Sequence, residues 1–108
     1  MMSWTGKGYR NMNFEEYPMN EFEQAVKEVC NELADMIIRK NRDYGDSFKK
    51  VYEEYGDLSL IIRLTDKLER LKSLQNKENL VKDESKEDTI RDMAGYAILA
   101  LALKKVMG

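Results

Sequence analysis

Three carboxylates recur at intervals of four residues in the last third of the chain, at Glu84, Asp88 and Asp92. In a helix this spacing places them on one face, where like charges destabilise by roughly a few tenths of a kcal/mol per pair unless a cation lies among them. The helix dipole favours acids in a first turn, which explains Glu84 and Asp88. It does not explain Asp92, which enters a segment that is apolar on all sides. A carboxylate there is costly unless it is paired or bound to a metal, so the spacing predicts such a role for Asp92.

A second cluster surrounds Lys40, which continues the apolar stripe of the first predicted helix by one turn. A lysine at that position can meet a phosphate as a point charge, or extend its ammonium into solvent at the helix C-terminus. Asp43 and Ser47 follow within two turns. The spacing alone leaves both interpretations of Lys40 open.

A third cluster lies on the third predicted helix, where charges of both signs recur over two turns: Arg63, Asp66, Lys67, Glu69 and Arg70. Such a pattern is typical of a solvated face with ion pairs three and four residues apart. The same helix is uncharged over an unusually wide arc, with a main stripe of Ile61, Leu64, Leu68 and Leu71. That width indicates that the charged side is partly covered by a neighbour.

The composition excludes several kinds of chemistry. The chain of 108 residues contains no His, which removes His-based acid–base catalysis and His-ligated zinc, and its one cysteine, Cys30, cannot form an internal disulfide. Any metal is therefore expected to be a hard cation with oxygen ligands. A net charge of −2 gives no basic surplus to indicate direct nucleic-acid binding, and no segment is long and apolar enough to span a membrane. We expect a cytoplasmic protein.

The elements that position these residues are predicted to be helices, since the apolar residues recur every three or four positions and the chain has a single proline. The sequence predicts an irregular segment over 1–19 and one all-α domain over 20–108. Asn20 and Glu23 form a capping-box pattern at the first helix, which ends near Gly45. The other helices are predicted over about 47–55, 58–74 and from 83–85 to 107.

The fourth predicted helix is apolar nearly all round beyond Asp92, and a chain of this size has little material to cover it. We therefore expect self-association, as a homodimer or a dimer of dimers. The first segment carries four aromatic residues that either stack on a base or cover the core: Trp4, Tyr9, Phe14 and Tyr17.

Three motifs in order, over residues 40–48, 63–71 and 84–97, carry a resemblance to a known family. They begin Lys40-Asn-Arg-Asp-Tyr-Gly, Arg63-Leu-Thr-Asp-Lys and Glu84-Ser-Lys-Glu-Asp. The chain resembles the small phage and bacterial nucleotide-modification-associated domain, formerly a domain of unknown function, over roughly 21–107. More distantly it is similar to the MazG-like all-α nucleoside triphosphate pyrophosphatases. This resemblance implies a MazG-like helical bundle of about four helices, completed by subunit pairing, that holds Mg²⁺ and cleaves a nucleotide between its α and β phosphates.

The resemblance also implies roles for particular residues. Asp92 matches the Asp that closes the MazG-like Glu-x-x-Asp metal motif, and Asp88 stands one residue from its Glu. Asp66 and Glu69 are the counterpart on the preceding helix. Catalytic roles fall to Asp66 and Asp92, and metal binding to Asp66, Glu69, Glu84, Asp88 and Asp92. Nucleotide binding falls to Lys40, Asp43, Arg63, Lys67, Arg70 and Tyr96.

Three functions are compatible with these observations. The first is a Mg²⁺-dependent pyrophosphohydrolase of (deoxy)nucleoside triphosphates that gives a monophosphate and pyrophosphate. The second is a non-catalytic nucleotide-binding or accessory domain in nucleotide metabolism or DNA modification, which the shifted spacing of Asp88 and Asp92 favours. The third is a structural oligomerisation module, which the position of Asp92 disfavours.

Overall fold

The computed structural model describes residues 18–76 and 86–108. Within these ranges the chain forms four α-helices and no strand, which confirms the all-α prediction. The helices are α1 (Glu21–Asp43), α2 (Ser47–Tyr55), α3 (Asp57–Asn76) and α4 (Lys86–Met107). The predicted start of the fourth helix at 83–85 lies outside the described residues, as do Glu84 and the four N-terminal aromatic residues. No helix in the described part of the chain is both long and apolar enough to cross a membrane.

The chain divides between Asn31 and Glu32 into two compact units, and α1 runs through the division. In the first unit, the N-terminus of α1 has the predicted capping box. The Glu23 amide donates to Asn20 Oδ1 at 2.8 Å, and the Asn20 amide donates to Glu23 Oε1 at 3.0 Å. These two bonds satisfy amide groups that have no partner within the helix.

The turn between α1 and α2 contains two consecutive residues with left-handed backbone. Gly45 has φ of 63° and Asp46 has φ of 59°, which confirms the predicted left-handed end of α1 at glycine. Asp46 precedes α2 but its carboxylate does not cap that helix. It accepts a hydrogen bond from Asn41 Nδ2 at 2.7 Å instead, and so ties the turn back to the last turns of α1.

Helices α3 and α4 pack against each other in antiparallel directions. Four contacts define their register, and in them residues of increasing number in α3 meet residues of decreasing number in α4. From one end to the other they are Gln75 with Lys86, Lys67 with Asp92, Arg63 with Tyr96, and Asp57 with Lys104.

The core of the second unit lies where α2 packs on this helix pair. Phe48, Tyr52 and Ala100 are buried there, and the half-buried Leu60 and Leu99 pack against them. Leu33 and Ile37 of α1 are also buried.

The predicted main stripe of α3 is wrong for two members, because Ile61 is 57% exposed and Leu68 is 41% exposed. The half-buried residues of α3 recur instead at Leu60, Leu64, Lys67, Leu71 and Leu74, with Arg63 beside them. Two cationic side chains share this covered face, as the contacts of Arg63 and Lys67 with α4 show. Counting apolar residues alone therefore assigns only Leu64 and Leu71 correctly to the covered face.

Helices α2, α3 and α4 are joined at one end by a hydrogen-bonded group. Tyr52 Oη donates to Asp57 Oδ1 at 2.6 Å, and Lys104 Nζ lies 3.1 Å from the same oxygen. The hydrogen bonds from Tyr52 and then from Lys104 lower the pKa of Asp57, and the bond to Asp57 raises the pKa of Lys104.

Candidate functional site

A cleft of two adjoining cavities lies in the second unit. The first, which we call the aromatic cavity, has a volume of about 290 Å³. The C-terminal turns of α1 and the start of α2 line it together with residues of α3 and α4. Its walls include three aromatic side chains and several polar ones: Tyr44, Phe48, Tyr96, Asn41 and Ser47.

The second cavity, which we call the charged cavity, has a volume of about 230 Å³. Arg70, Asp88 and Thr89 line this cavity but not the aromatic one. Four residues line both cavities and form the wall that the two share: Met36, Lys40, Arg91 and Asp92. The cleft therefore has an aromatic end, a charged end and a cationic middle.

Arg63 forms part of the aromatic end, and its guanidinium carbon lies 5.4 Å from the centre of the Phe48 ring and 5.3 Å from that of Tyr96. Both distances lie within the range of cation–π attraction. The two rings are nearly parallel, with centres 6.0 Å apart. One guanidinium thus holds together aromatic residues from α2 and α4, which fixes the shape of this end of the cleft.

Asp92, in the middle of the cleft, faces the ammonium group of Lys67. Lys67 Nζ lies 3.2 Å from Asp92 Oδ2, and the side chains are 17% and 35% exposed. Sequence analysis singled out this carboxylate as costly unless it is paired or bound to a metal. In the structure it is paired with a cation of α3.

The structure brings some predicted site residues together and separates others. Lys40, Arg63, Asp92 and Tyr96 line the aromatic cavity, while Arg70 and Asp88 join Lys40 and Asp92 around the charged cavity. Three of the predicted residues are exposed and line neither cavity: Asp43, Asp66 and Glu69. Glu69 instead pairs with Lys72 at 3.2 Å on the surface of α3.

Mg²⁺ is usually held by one or two carboxylates of the protein together with water and substrate phosphates. Within residues 18–76 and 86–108, no three acidic or thiol side chains come together in a way that could hold a metal ion. Asp88 lies 3.1 Å from Arg91, and Asp92 lies against Lys67. The described residues therefore bring two carboxylates to the charged cavity, and each of them is already paired with a cation.

Sequence analysis placed Asn41, Tyr44 and Phe48 in the motif that begins at Lys40 without giving them roles, and it did not single out Arg91 or Gly95. Phe48 belongs both to the buried core and to the wall of the cleft. Arg91 follows Asp88 by three residues, a spacing that predicts an ion pair on one face but not a position beside Lys40. Gly95 is buried in the wall that α4 contributes, where an added Cβ would lie 3.7 Å from Ile37 of α1.

Comparison with known proteins gives one match. A family model described as nucleotide modification associated domain 1 matches residues 40–103, more than half of the chain. The matched segment begins at Lys40 and includes all of α2 and α3 and most of α4. No curated protein and no solved structure matches the chain.

Proposed function

Because the chain belongs to the family described as nucleotide modification associated domain 1, we propose that its cleft binds a single nucleotide. One observation supports this proposal above the others: an aromatic cavity and a charged cavity share a cationic wall. A nucleotide has the same polarity, with a flat base at one end and phosphates at the other. The nucleotide would occupy both cavities, of about 290 Å³ and 230 Å³, which together reach the size of small-molecule sites, roughly 300–1,000 Å³.

The two ends of the cleft would recognise different parts of the ligand. Tyr44 and Tyr96 offer aromatic surface to a base, since stacking on such surface is largely independent of base identity. Lys40 and Arg91 would bind phosphate oxygens through charge-assisted hydrogen bonds. Asn41, whose side-chain amide also bonds Asp46, lies between these groups and adds polar surface for a sugar or a base edge.

Calorimetric titration with a deoxynucleoside triphosphate, its monophosphate and its nucleoside tests this orientation. We expect the affinity to fall as phosphates are removed. Lys40→Ala should weaken triphosphate binding about tenfold, or 1.4 kcal/mol, and nucleoside binding little. Lys49→Ala, at an exposed position that lines neither cavity, is the matched control. If none of the common nucleotides binds, the proposal is wrong.

A second candidate function is the Mg²⁺-dependent pyrophosphohydrolase that the resemblance to MazG-like enzymes implies. The observation that favours it is that Asp88 and Asp92, one turn apart, line the same cavity as Lys40 and Arg70. Release of pyrophosphate from a deoxynucleoside triphosphate in the presence of Mg²⁺, and its loss in Asp92→Asn, would support this function. Binding without any pyrophosphate release would leave the non-catalytic or accessory role in nucleotide metabolism or DNA modification.

We further propose that the chain pairs with a second copy of itself through an apolar groove of about 470 Å³ on α2 and α3. The groove is lined by Val51, Tyr55, Leu58, Ser59, Ile62 and Arg63. Leu58 and Ile62 are 57% and 59% exposed. Full burial of such a side chain contributes about 1.5–3 kcal/mol. Because more than half of each side chain is still exposed, burying the rest in an interface would contribute roughly 1 kcal/mol per residue. A symmetric pair would gain this contribution from both copies.

A further inference from the structure

Lys67 lies on the covered face of α3, one position from an acidic residue that is turned outward. The register of α3 directs Leu64, Lys67 and Leu71 towards α4, whereas Asp66 is exposed. The Lys67 side chain is only 17% exposed, and its ammonium reaches Asp92 in the middle of the cleft. At the place where α3 could present a carboxylate to Asp92, it therefore presents a cation.

The consequence for the cleft is a positive balance of charge. Four cations and three carboxylates of the described residues line the charged cavity or pair with its lining residues: Lys40, Lys67, Arg70, Arg91, Glu87, Asp88 and Asp92. Lys67 lies 3.2 Å from Asp92, and Arg91 lies 3.1 Å from Asp88 and 3.6 Å from Glu87. An anion entering this cavity therefore meets carboxylates that are already paired with cations.

We infer that the ammonium group of Lys67 takes the place of a metal ion beside Asp92, so that the cleft binds nucleotides without a divalent cation. This inference rests on the proposed nucleotide binding and specifies how phosphate charge is accommodated there. The carboxylate of Asp92 would repel a phosphate if it were unpaired, because a covered charge interacts more strongly than a solvated one. Lys67 cancels that repulsion. Asp92 in turn acts as a positioning residue, because it holds the ammonium group of Lys67 in place.

Calorimetric titration of the full chain with each of the four deoxynucleoside triphosphates, in excess EDTA and in excess Mg²⁺, tests the inference. We expect the wild-type affinity in EDTA to equal or exceed that in Mg²⁺, because the metal-free triphosphate carries more negative charge. Lys67→Gln leaves Asp92 uncompensated, so its affinity in EDTA should fall at least tenfold and recover when Mg²⁺ is added. The double variant Lys67→Gln/Asp92→Asn removes the uncompensated charge and should bind in EDTA.

The matched control is Lys72→Gln, since Lys72 also lies 3.2 Å from a carboxylate, that of Glu69, but on the exposed surface of α3. It should leave both affinities unchanged. Circular dichroism of Lys67→Gln checks that the variant is folded, and the double variant provides the comparison if the single variant is not. Loss of wild-type binding in EDTA, or undiminished binding of folded Lys67→Gln in EDTA, would overturn the inference.

Titration with Mg²⁺ alone separates this inference from the proposed function. We expect Asp92→Asn to leave any Mg²⁺ binding by the protein unchanged. If the wild type binds Mg²⁺ and Asp92→Asn abolishes that binding, the proposed role of Lys67 is wrong even where nucleotides bind. If no nucleotide binds in either buffer, the proposed function fails, and the Mg²⁺ titration still tests the pairing of Asp92.

Discussion

Replacing Arg63 by methionine tests whether its main role is to hold the aromatic end of the cleft together. The guanidinium lies 5.4 Å and 5.3 Å from the centres of the Phe48 and Tyr96 rings. Each such contact contributes about 0.5–1 kcal/mol when exposed and about 2 kcal/mol when desolvated. Because Arg63 is half-buried, we expect Arg63→Met to lower the free energy of unfolding by about 1–3 kcal/mol. The melting temperature should fall by roughly 4–8 °C for each kcal/mol lost in a domain of this size.

Urea unfolding followed by circular dichroism measures this loss, and a double-mutant cycle isolates its cause. The cycle combines Arg63→Met with Tyr96→Leu, and we expect a coupling energy of about 0.5–1.5 kcal/mol, in the range found for residues in contact. Arg63→Lys keeps the charge but not the planar group, so it should lose most of the same stability.

Two results would refute this reasoning. One is additivity of the two substitutions to within about 0.3 kcal/mol, which is the behaviour of independent sites. The other is an Arg63→Lys variant as stable as the wild type. If that variant also binds a deoxynucleoside triphosphate normally, the charge of Arg63 matters more than its planar group, which agrees with the nucleotide-binding role that the resemblance implies for it.

Three further outcomes are expected. Gly95→Ala should stabilise by about 0.5–1 kcal/mol in urea unfolding, since its Cβ would lie 3.7 Å from the nearest atom of α1, without a clash. A destabilised variant would mean that this part of α4 has no room. Because the pKa of Asp57 is lowered, its carboxylate stabilises the fold above pH 3.8, and this stabilisation is lost as the pH falls further. Because the pKa of Lys104 is raised, the stabilisation by its ammonium group is lost as the pH rises above 10.5. Asp57→Asn should therefore flatten the acid side of a plot of melting temperature against pH, and an unchanged acid limb would contradict this. Light scattering should detect a dimer for the wild type and a monomer for Leu58→Glu, whereas a monomeric wild type would exclude the proposed pairing.

The helices and their ends could be predicted because the signals that fix them are local. The Asn20–Glu23 capping box and the left-handed Gly45 depend on residues within a few positions of each other. The role of Asp46 could not be predicted in the same way. Its type suits a helix N-cap, but its carboxylate bonds Asn41, and the choice between two equally local partners depends on the geometry of the turn.

The candidate site could be predicted only in part. Lys40 was identified because it continues the apolar stripe of α1, and Asp92 because it enters a segment that is apolar on all sides; both line the cleft. The choice between Asp66 and Lys67 as the residue that faces α4 could not be made from spacing. The two residues are adjacent in sequence, so rotating α3 about its axis by one residue would exchange which of them faces α4. Tertiary packing fixes that rotation and thus decides which side chain is covered.

The antiparallel register of α3 and α4 has a consequence for the order in which the fold assembles. Lys86 and Gln75 meet across 11 residues of chain, whereas Lys104 and Asp57 meet across 47. Loop-closure entropy grows with the logarithm of this separation, so the distant pair costs about 1.3 kcal/mol more to bring together from the unfolded chain. The helical hairpin is therefore expected to close first next to Gln75 and last next to Asp57. The bond from Tyr52 to Asp57, which brings in α2, completes the structure at that end.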